Sequence, residues 1–230
     1  MRVMRWRKVP SAWMVDAGVF PKLIGGKDDL GTLGAKICAL MVYMALAMSS
    51  EEEESGASRI LFSAMTYDEI QSLTGLSRPS ITKGINVLEK IGLIKQQING
   101  RSANYIFCGY NFSQGWCKLP VKALIEKSSS GLKIKPFSHF TKRGLIELHA
   151  LKLYLYLLAI RGNNNPHSAV SYEKIAEQTA IPRKNIRKAG SYLLSCGLLS
   201  DIRKPQGNGD YESNANMYFS SGSTDLYSRF

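Results

Sequence analysis

Two stretches of the chain carry basic and hydrogen-bonding side chains at the spacing of one helix face. Arginine and lysine suit guanine, asparagine suits adenine, and serine or threonine fits several base edges. The pattern therefore predicts contacts with nucleic acid, although a solvated helix face that binds nothing is also polar and often basic. The residues are Arg78, Ser80, Thr82, Lys83 and Asn86 in the first stretch, and Arg183, Lys184, Asn185, Arg187, Lys188 and Ser191 in the second.

These stretches belong to an internal repeat, which must be recognised before the fold is assigned. Three landmarks recur in the same order, and the longest pair aligns without a gap. The repeat predicts two domains, residues 1–112 and 113–230. The matched segments are 66–94 with 171–199, WRKVP at 6–10 with WCKLP at 116–120, and ANYIF at 103–107 with ANMYF at 215–219.

Each repeat contains the pattern of a helix, a tight turn, a second helix and a hairpin. In the first repeat Gly75 supplies the turn and Ser77 is a natural N-cap. An apolar stripe and a terminating Gly92 then define the next helix. The stripe is Ile81, Ile85, Leu88 and Ile91.

The segments around these helices predict the remaining elements. A preceding helix is expected at Tyr67–Thr74 and again at Tyr172–Thr179. Asn99-Gly100 is a strong hairpin signal between the predicted strands 93–98 and 103–108. In the second repeat the corresponding elements are a helix at 183–195 and strands at 198–202 and 215–220.

This order of elements is typical of a winged helix. The predicted fold class is therefore mainly α with small β wings (α+β), as two tandem winged-helix domains. In a helix-turn-helix the second helix enters the major groove, so the polar faces described above are its expected reading surfaces.

The wings and the amino terminus are secondary candidates for DNA contact. Arg101 lies at the predicted tip of the first wing, while Arg203 and Lys204 begin the longer second one. The basic terminus (Arg2, Arg5, Arg7 and Lys8) resembles a minor-groove arm. Flexible solvated loops and a frayed terminus are the alternatives.

Each repeat also contains a helix without an apolar–polar division. Residues 37–48 include no charged side chain, and residues 151–160 include only Lys152. A helix that is apolar all round is buried on more than one side. We expect these helices to join the two domains or two chains, unless each is central to its own small core.

Composition agrees with a polyanion partner. The formal net charge is +12 with a pI near 9.6, and most of the excess lies in the second half. The longest apolar run is too short to span a bilayer, so no membrane partner and a cytoplasmic location are expected.

Enzymatic chemistry is not expected. No GxxxxGK[ST] or GxSxG motif occurs, and the scattered cysteines and histidines complete no zinc spacing. The acidic run 51–54 is more typical of a solvated loop than of a metal site. The expectation is a protein without catalysis, cofactor or metal, with reduced and mostly buried thiols.

The segment YDEIQSLTGLSRPSITKGINVLEKIGLI, after an apolar helix and a Lys-x-Pro segment, resembles the winged-helix domain of phage and plasmid replication proteins. Its duplication resembles plasmid replication initiators, which bind origin repeats with two winged helices. The resemblance implies sequence-specific binding of double-stranded DNA at an origin of a plasmid, phage or mobile element. It also implies a bacterial protein associated with the nucleoid or a plasmid.

Two other functions remain open from the sequence. A transcriptional regulator would use the same surfaces at an operator, and a scaffold would use its winged helices to bind protein, since fold alone does not determine function. A second copy of the chain and the replication or transcription machinery are further candidate partners.

Overall fold

The computed structural model describes residues 4–16, 18–56, 58–99, 102–129, 131–162, 165–204 and 215–227. The helices are α1 (Ala12–Val15), α2 (Leu33–Met48), α3 (Tyr67–Thr74), α4 (Arg78–Lys90), α5 (Val121–Leu124), α6 (Leu145–Ile160), α7 (Tyr172–Thr179), α8 (Arg183–Cys196) and α9 (Ser223–Tyr227), with short 3₁₀ helices at Phe20–Lys22 and Lys135–His139. The strands are β1 (Arg7–Pro10), β2 (Glu51–Ser55), β3 (Ser58–Ser63), β4 (Ile94–Asn99), β5 (Ser102–Phe107), β6 (Trp116–Leu119), β7 (Ile125–Ser128), β8 (Gly131–Ile134), β9 (Ser168–Ser171), β10 (Leu199–Arg203) and β11 (Ala215–Ser220).

The protein is a mixture of helices and small antiparallel sheets, which agrees with the α+β class. Helices account for 47% of the residues and strands for 26%. The strand content is higher than two wing hairpins alone would give. The additional strands are β1 with β6, β7 with β8, β2 with β3, and β9 beside β11.

The acidic segment 51–54 is not the solvated loop that the sequence indicated. It forms β2, which pairs along its whole length with β3, from Glu51 opposite Phe62 to Ser55 opposite Ser58. Neighbouring cations reduce the repulsion between its carboxylates, because Lys8 binds Glu52 at 2.9 Å and Arg59 binds Glu54 at 3.3 Å.

Helices α2 and α6 form the centre of the molecule. Nearly every residue of both helices is buried, as expected for helices that are apolar on all sides. They pack against each other and each also packs against the later helices of its own repeat, α2 against α3 and α4, α6 against α7 and α8. The α2–α6 contact agrees with the expectation that these helices join the repeats, and each helix is also central to the packing of its own repeat.

The first helix pair is built as its sequence predicts. Thr66 and Glu69 form a capping box at the start of α3, and Gly75 ends that helix in the left-handed conformation with φ +68°. Ser77 occupies the N-cap of α4, but its hydroxyl does not bond a helix amide; its Oγ lies 2.9 Å from Ser80 Oγ instead.

The apolar stripe of α4 faces α2. Ile81, Ile85 and Leu88 are buried, and Ile91 is partly buried just after the helix. The helices approach so closely that a Cβ atom on Gly84 would lie 3.0 Å from the carbonyl of Cys38. A glycine is therefore needed at this crossing for the observed packing.

The sheets of the two repeats are arranged alike. In the first, the order is β2-β3-β5-β4, and in the second it is β9-β11-β10. Asn99 pairs with Ser102, so Asn99 belongs to the strand and the connection is residues 100–101, one position later than the Asn99-Gly100 signal indicated. That connection lies outside the described residues.

The repeated Trp-x-Lys-x-Pro segments pair with each other. Strands β1 and β6 are antiparallel with Lys8 opposite Lys118, and the rings of Trp6 and Trp116 stack at 6.3 Å. The two lysines make reciprocal contacts: Lys8 Nζ lies 4.7 Å from the Trp116 ring centroid, and Lys118 Nζ lies 4.8 Å from that of Trp6.

The segments after these strands cross to the opposite repeat. Helix α1 contacts α6 and α7, whereas strand β8 contacts α3. Ser72 Oγ of α3, for example, donates to the Leu132 carbonyl of β8 at 3.1 Å. Each repeat therefore supplies part of the packing of the other.

Candidate nucleic-acid interface

An equivalent arginine–carboxylate ion pair connects α3 with α4 and α7 with α8. Arg78 at the start of α4 binds Asp68 of α3 at 2.7 Å, and Arg183 at the start of α8 binds Glu173 of α7. All four side chains are exposed, so the pairs orient the arginines more than they stabilise the fold. Both predicted arginines lie at the amino-terminal end of the second helix.

The turns between the helices also match in detail. Thr74 Oγ1 donates to the Ile70 carbonyl at 2.6 Å and accepts from the Leu76 amide at 3.2 Å. Thr179 makes the equivalent bonds, to Ile175 at 2.6 Å and from Ile181 at 3.3 Å. The second helix of each pair is thus presented by the same local structure.

The outer face of α4 brings together most of its predicted residues. Arg78, Thr82, Lys83 and Asn86 are exposed, whereas Ser80 is partly buried and bonded to Ser77. Thr82 Oγ1 donates to the Arg78 carbonyl at 3.1 Å and lies 3.3 Å from the Tyr67 hydroxyl. Ser80 is therefore less available than the sequence pattern suggested.

The outer face of α8 is more basic. Its exposed predicted residues surround the first two turns, and no acidic residue occurs on the helix. Only Asn185 among them is partly buried. The exposed residues are Arg183, Lys184, Arg187, Lys188 and Ser191.

The predicted wing residues are only partly placed. Arg101 lies outside the described residues, as does Arg2. Arg203 is the last residue of β10, and its guanidinium binds Asp201 and lies 4.7 Å from the Phe219 ring centroid. Lys204, the next residue, is exposed. Arg203 is thus already engaged within its own hairpin.

Charge distinguishes the two edges of the first sheet. Strand β2, with four glutamates, forms one edge, and β4, with Lys95 and two glutamines, forms the other. A polyanion is repelled by the β2 edge and is attracted to the β4 edge and the adjoining α4 face.

The sequence pattern did not single out Lys142 or Tyr67. Lys142 precedes α6, yet it acts electrostatically on the Cys38 thiol in α2, as does Lys83 of α4. Burial still dominates there and raises the pKa of Cys38 to about 11. Lys142 and Cys38 are about 100 residues apart, so no local pattern relates the two.

The described part of the chain lacks two features that would indicate a metal centre or a membrane span. It contains no group of three or more His, Cys, Asp or Glu residues placed to hold a metal ion. No helix within the described ranges is long and apolar enough to cross a membrane. The four cysteines are free; three are buried and Cys108 is partly buried.

Comparison of the chain with protein-family models, curated proteins and solved structures found no match.

Proposed function

We propose that this protein binds double-stranded DNA sequence-specifically through two winged-helix units, residues 1–112 and 113–230, with α4 and α8 as the major-groove helices. The observation that carries the proposal is the matched construction of the α3–α4 and α7–α8 pairs. In both, an Arg–carboxylate pair and a threonine-bonded turn present the basic, hydrogen-bonding face of the second helix.

The two faces support different tasks on one duplex. Asn86 and Thr82 provide the donor and acceptor pattern that base edges require, whereas the cations of α8 suit phosphates. Because the α2–α6 contact joins the repeats, we expect both helices to engage the same DNA molecule rather than two separate ones.

The process we favour is initiation of replication at repeated sites of a plasmid, phage or other mobile element, without catalysis by this chain. This rests on the resemblance of the duplicated segments to replication initiators. Genome-wide footprinting tests it: clustered repeats at one origin support initiation, and sites that overlap promoters contradict it in favour of regulation.

DNA binding itself is tested with the full chain and a duplex selected from a random pool. Fluorescence anisotropy is measured from 50 to 300 mM salt. Binding through several phosphate contacts gives a linear fall of log K with log salt, with a slope of about −0.9 for each contact. Absence of binding at 50 mM salt would contradict the proposal and favour a protein-binding scaffold.

The joint engagement of both helices has its own test. Once the footprint of each helix is known from hydroxyl-radical protection, five base pairs are inserted between the two footprints. This rotates one half-site by about half a turn of duplex. We expect a large loss of affinity. No effect at all would show that the two units bind independently. Insertion of a full turn, which restores the phase of the half-sites, shows whether the units are flexibly joined.

A further inference from the structure

A cleft of about 480 Å³ lies at the junction of the two repeats. The loop before α2, the amino-terminal part of α6 and the turn before α8 form its walls. Its lining includes two large apolar side chains that remain exposed, Ile24 at 52% and Leu145 at 39%. Leu23 and Leu33 continue this apolar wall inward. The volume is that of a pocket for a small molecule.

Two buried polar residues of α6 line the same cleft. Lys152 is 1% exposed, and its Nζ donates to the Leu23 carbonyl at 3.1 Å. An ammonium group has three N–H donors, and a buried cation is costly unless it is paired. Burial, and secondarily the charge of Lys36, lower the pKa of Lys152 to about 7.

The aspartate that pairs with Lys36 is already engaged. Lys36 Nζ binds Asp28 Oδ2 at 2.6 Å and also donates to the carbonyls of Ile24 and Gly26 at 3.0 and 3.3 Å. The Lys36 hydrogen bond lowers the pKa of Asp28, so that carboxylate is charged at neutral pH. In the described surroundings Asp28 therefore neutralises Lys36, and Lys152 lacks a counter-ion.

His149 adds an unsatisfied group beside Lys152. It is 4% exposed, and its Nδ1 has no hydrogen-bond partner in the described part of the chain. Burial and the charge of Lys152 lower the pKa of His149 to about 4, so the imidazole is neutral near pH 7. A neutral imidazole can donate one hydrogen bond to an anion.

We propose that this cleft binds a small organic carboxylate with an apolar body. The carboxylate lies between Lys152 Nζ and His149, and the apolar body lies against Leu23, Ile24, Leu33 and Leu145. A single uncompensated ammonium suits a monoanion better than a phosphate dianion, and the apolar wall suits a hydrocarbon chain or ring. The proposal does not depend on DNA binding.

The test compares acids with amides of the same shape. Sodium hexanoate and sodium benzoate are titrated into the full chain at pH 7 and constant ionic strength, beside hexanamide and benzamide, and binding is measured by calorimetry. We expect at least one acid to bind at least tenfold more tightly than its amide. Equal binding of each acid and its amide, or no binding by either acid, would overturn the proposal.

Two variants locate the charge. Lys152→Met removes the charge, keeps an unbranched side chain one atom shorter and should weaken binding of the acid at least tenfold. Lys127→Met removes an exposed lysine of β7 and should leave binding unchanged. Circular dichroism and the melting temperature establish that each variant is folded. Undiminished binding to folded Lys152→Met would refute the assignment.

Proton uptake gives a readout that does not require a variant. A bound carboxylate stabilises the charged form of Lys152. The other titratable groups near Lys152 are Lys36, Asp28 and His149. At pH 8 binding should therefore take up a fraction of a proton, seen as a dependence of the binding enthalpy on the buffer. No uptake at pH 8 would contradict a role for Lys152.

Discussion

The two helix pairs share a framework and differ in what they expose. The pairs have the same Arg–carboxylate contact, the same threonine bonds and a left-handed residue at the same point, Gly75 in one and Ala180 in the other. On that framework α4 exposes threonine, lysine and asparagine, whereas α8 exposes arginines and lysines without an acidic residue. The two pairs therefore present their second helices alike and differ in the side chains that these helices expose.

The buried lysines of the central helices differ in a similar way. Lys36 of α2 has an aspartate and two carbonyls as partners, whereas Lys152 of α6 donates to one carbonyl and lies 5.9 Å from the Phe20 ring centroid. The first repeat therefore contains a neutralised buried cation and the second an uncompensated one. The two repeats therefore differ in their buried lysines as well as in the exposed faces of α4 and α8.

The largest expected effect comes from removing charge from α8. Replacing Lys184, Arg187 and Lys188 together by alanine should lower DNA affinity about a hundredfold and reduce the salt slope by about 3, because about three phosphate contacts are lost. Anisotropy across salt measures both quantities. The control replaces Lys122, Lys127 and Lys135, three exposed lysines with the same total charge. Equal losses in variant and control would show that only net charge matters, and the contrast between α8 and α4 would fail.

The two core lysines should respond oppositely to substitution by methionine. Lys36→Met leaves the carbonyls of Ile24 and Gly26 without their donor, so we expect the free energy of unfolding to fall by about 1–3 kcal/mol. Lys152→Met removes a poorly paired buried cation and should be at least as stable as the wild type at pH 7. Urea unfolding measures both.

The pH dependence of stability provides the check on this pair. The pKa of Lys152 is about 7 in the fold against 10.5 in the unfolded chain, so between these values the unfolded state holds the extra proton. Wild-type stability relative to Lys152→Met should therefore rise with pH by about 1.4 kcal/mol per unit from about pH 7 to 10. A flat difference would mean that Lys152 is better compensated than its contacts indicate.

Substitutions at Asn86 and at the equivalent Ser191 allow base reading by the two repeats to be compared. Asn86→Ala should lose about 1–3 kcal/mol on the selected site and relax the preference at one base pair, because asparagine can bond adenine twice. Ser191→Ala should lose less than about 1 kcal/mol, since a hydroxyl fits several base edges. Anisotropy with single-substitution duplexes measures both. If Asn86→Ala weakens every duplex equally, α4 does not read bases through this residue.

The smallest expected effect concerns the turn residues. Gly75→Ala places a Cβ in a left-handed conformation and should cost about 1 kcal/mol, whereas Ala180→Gly relieves the same strain and should gain somewhat less, since glycine also loosens the unfolded chain. Thermal unfolding of each variant checks the signs. If both substitutions changed the stability in the same direction, the two turns would not be equivalent.

Much of the helical framework follows from local sequence. The bounds of α3, α7 and β11 agree with those predicted, because Thr66, Ser171 and Gly75 supply strong start and stop signals and the apolar spacing defines the buried face. The burial of Ile81, Ile85 and Leu88 follows from the same spacing.

The errors fall where distant partners decide the outcome. Strand β2 pairs with the adjacent β3, and its Glu52 also contacts Lys8 and Tyr110 from distant segments. Ser80 is partly buried, and its side chain hydrogen-bonds Cys38 of the distant helix α2. In the hairpin after β4, pairing with β5 extends through Asn99 and moves the connection by one residue.

The sequence by itself determined the repeat, its helices and the basic faces of α4 and α8, because spacing, caps and charge are local properties of the chain. Only the tertiary structure decided how the repeats combine. The β1–β6 pairing joins residues more than 100 positions apart, and the α2–α6 contact and the exchange of leading segments also join residues that are distant in the sequence. The same exchange brings the loop before α2 against Lys152 and His149, and so forms a cleft that neither repeat contains alone.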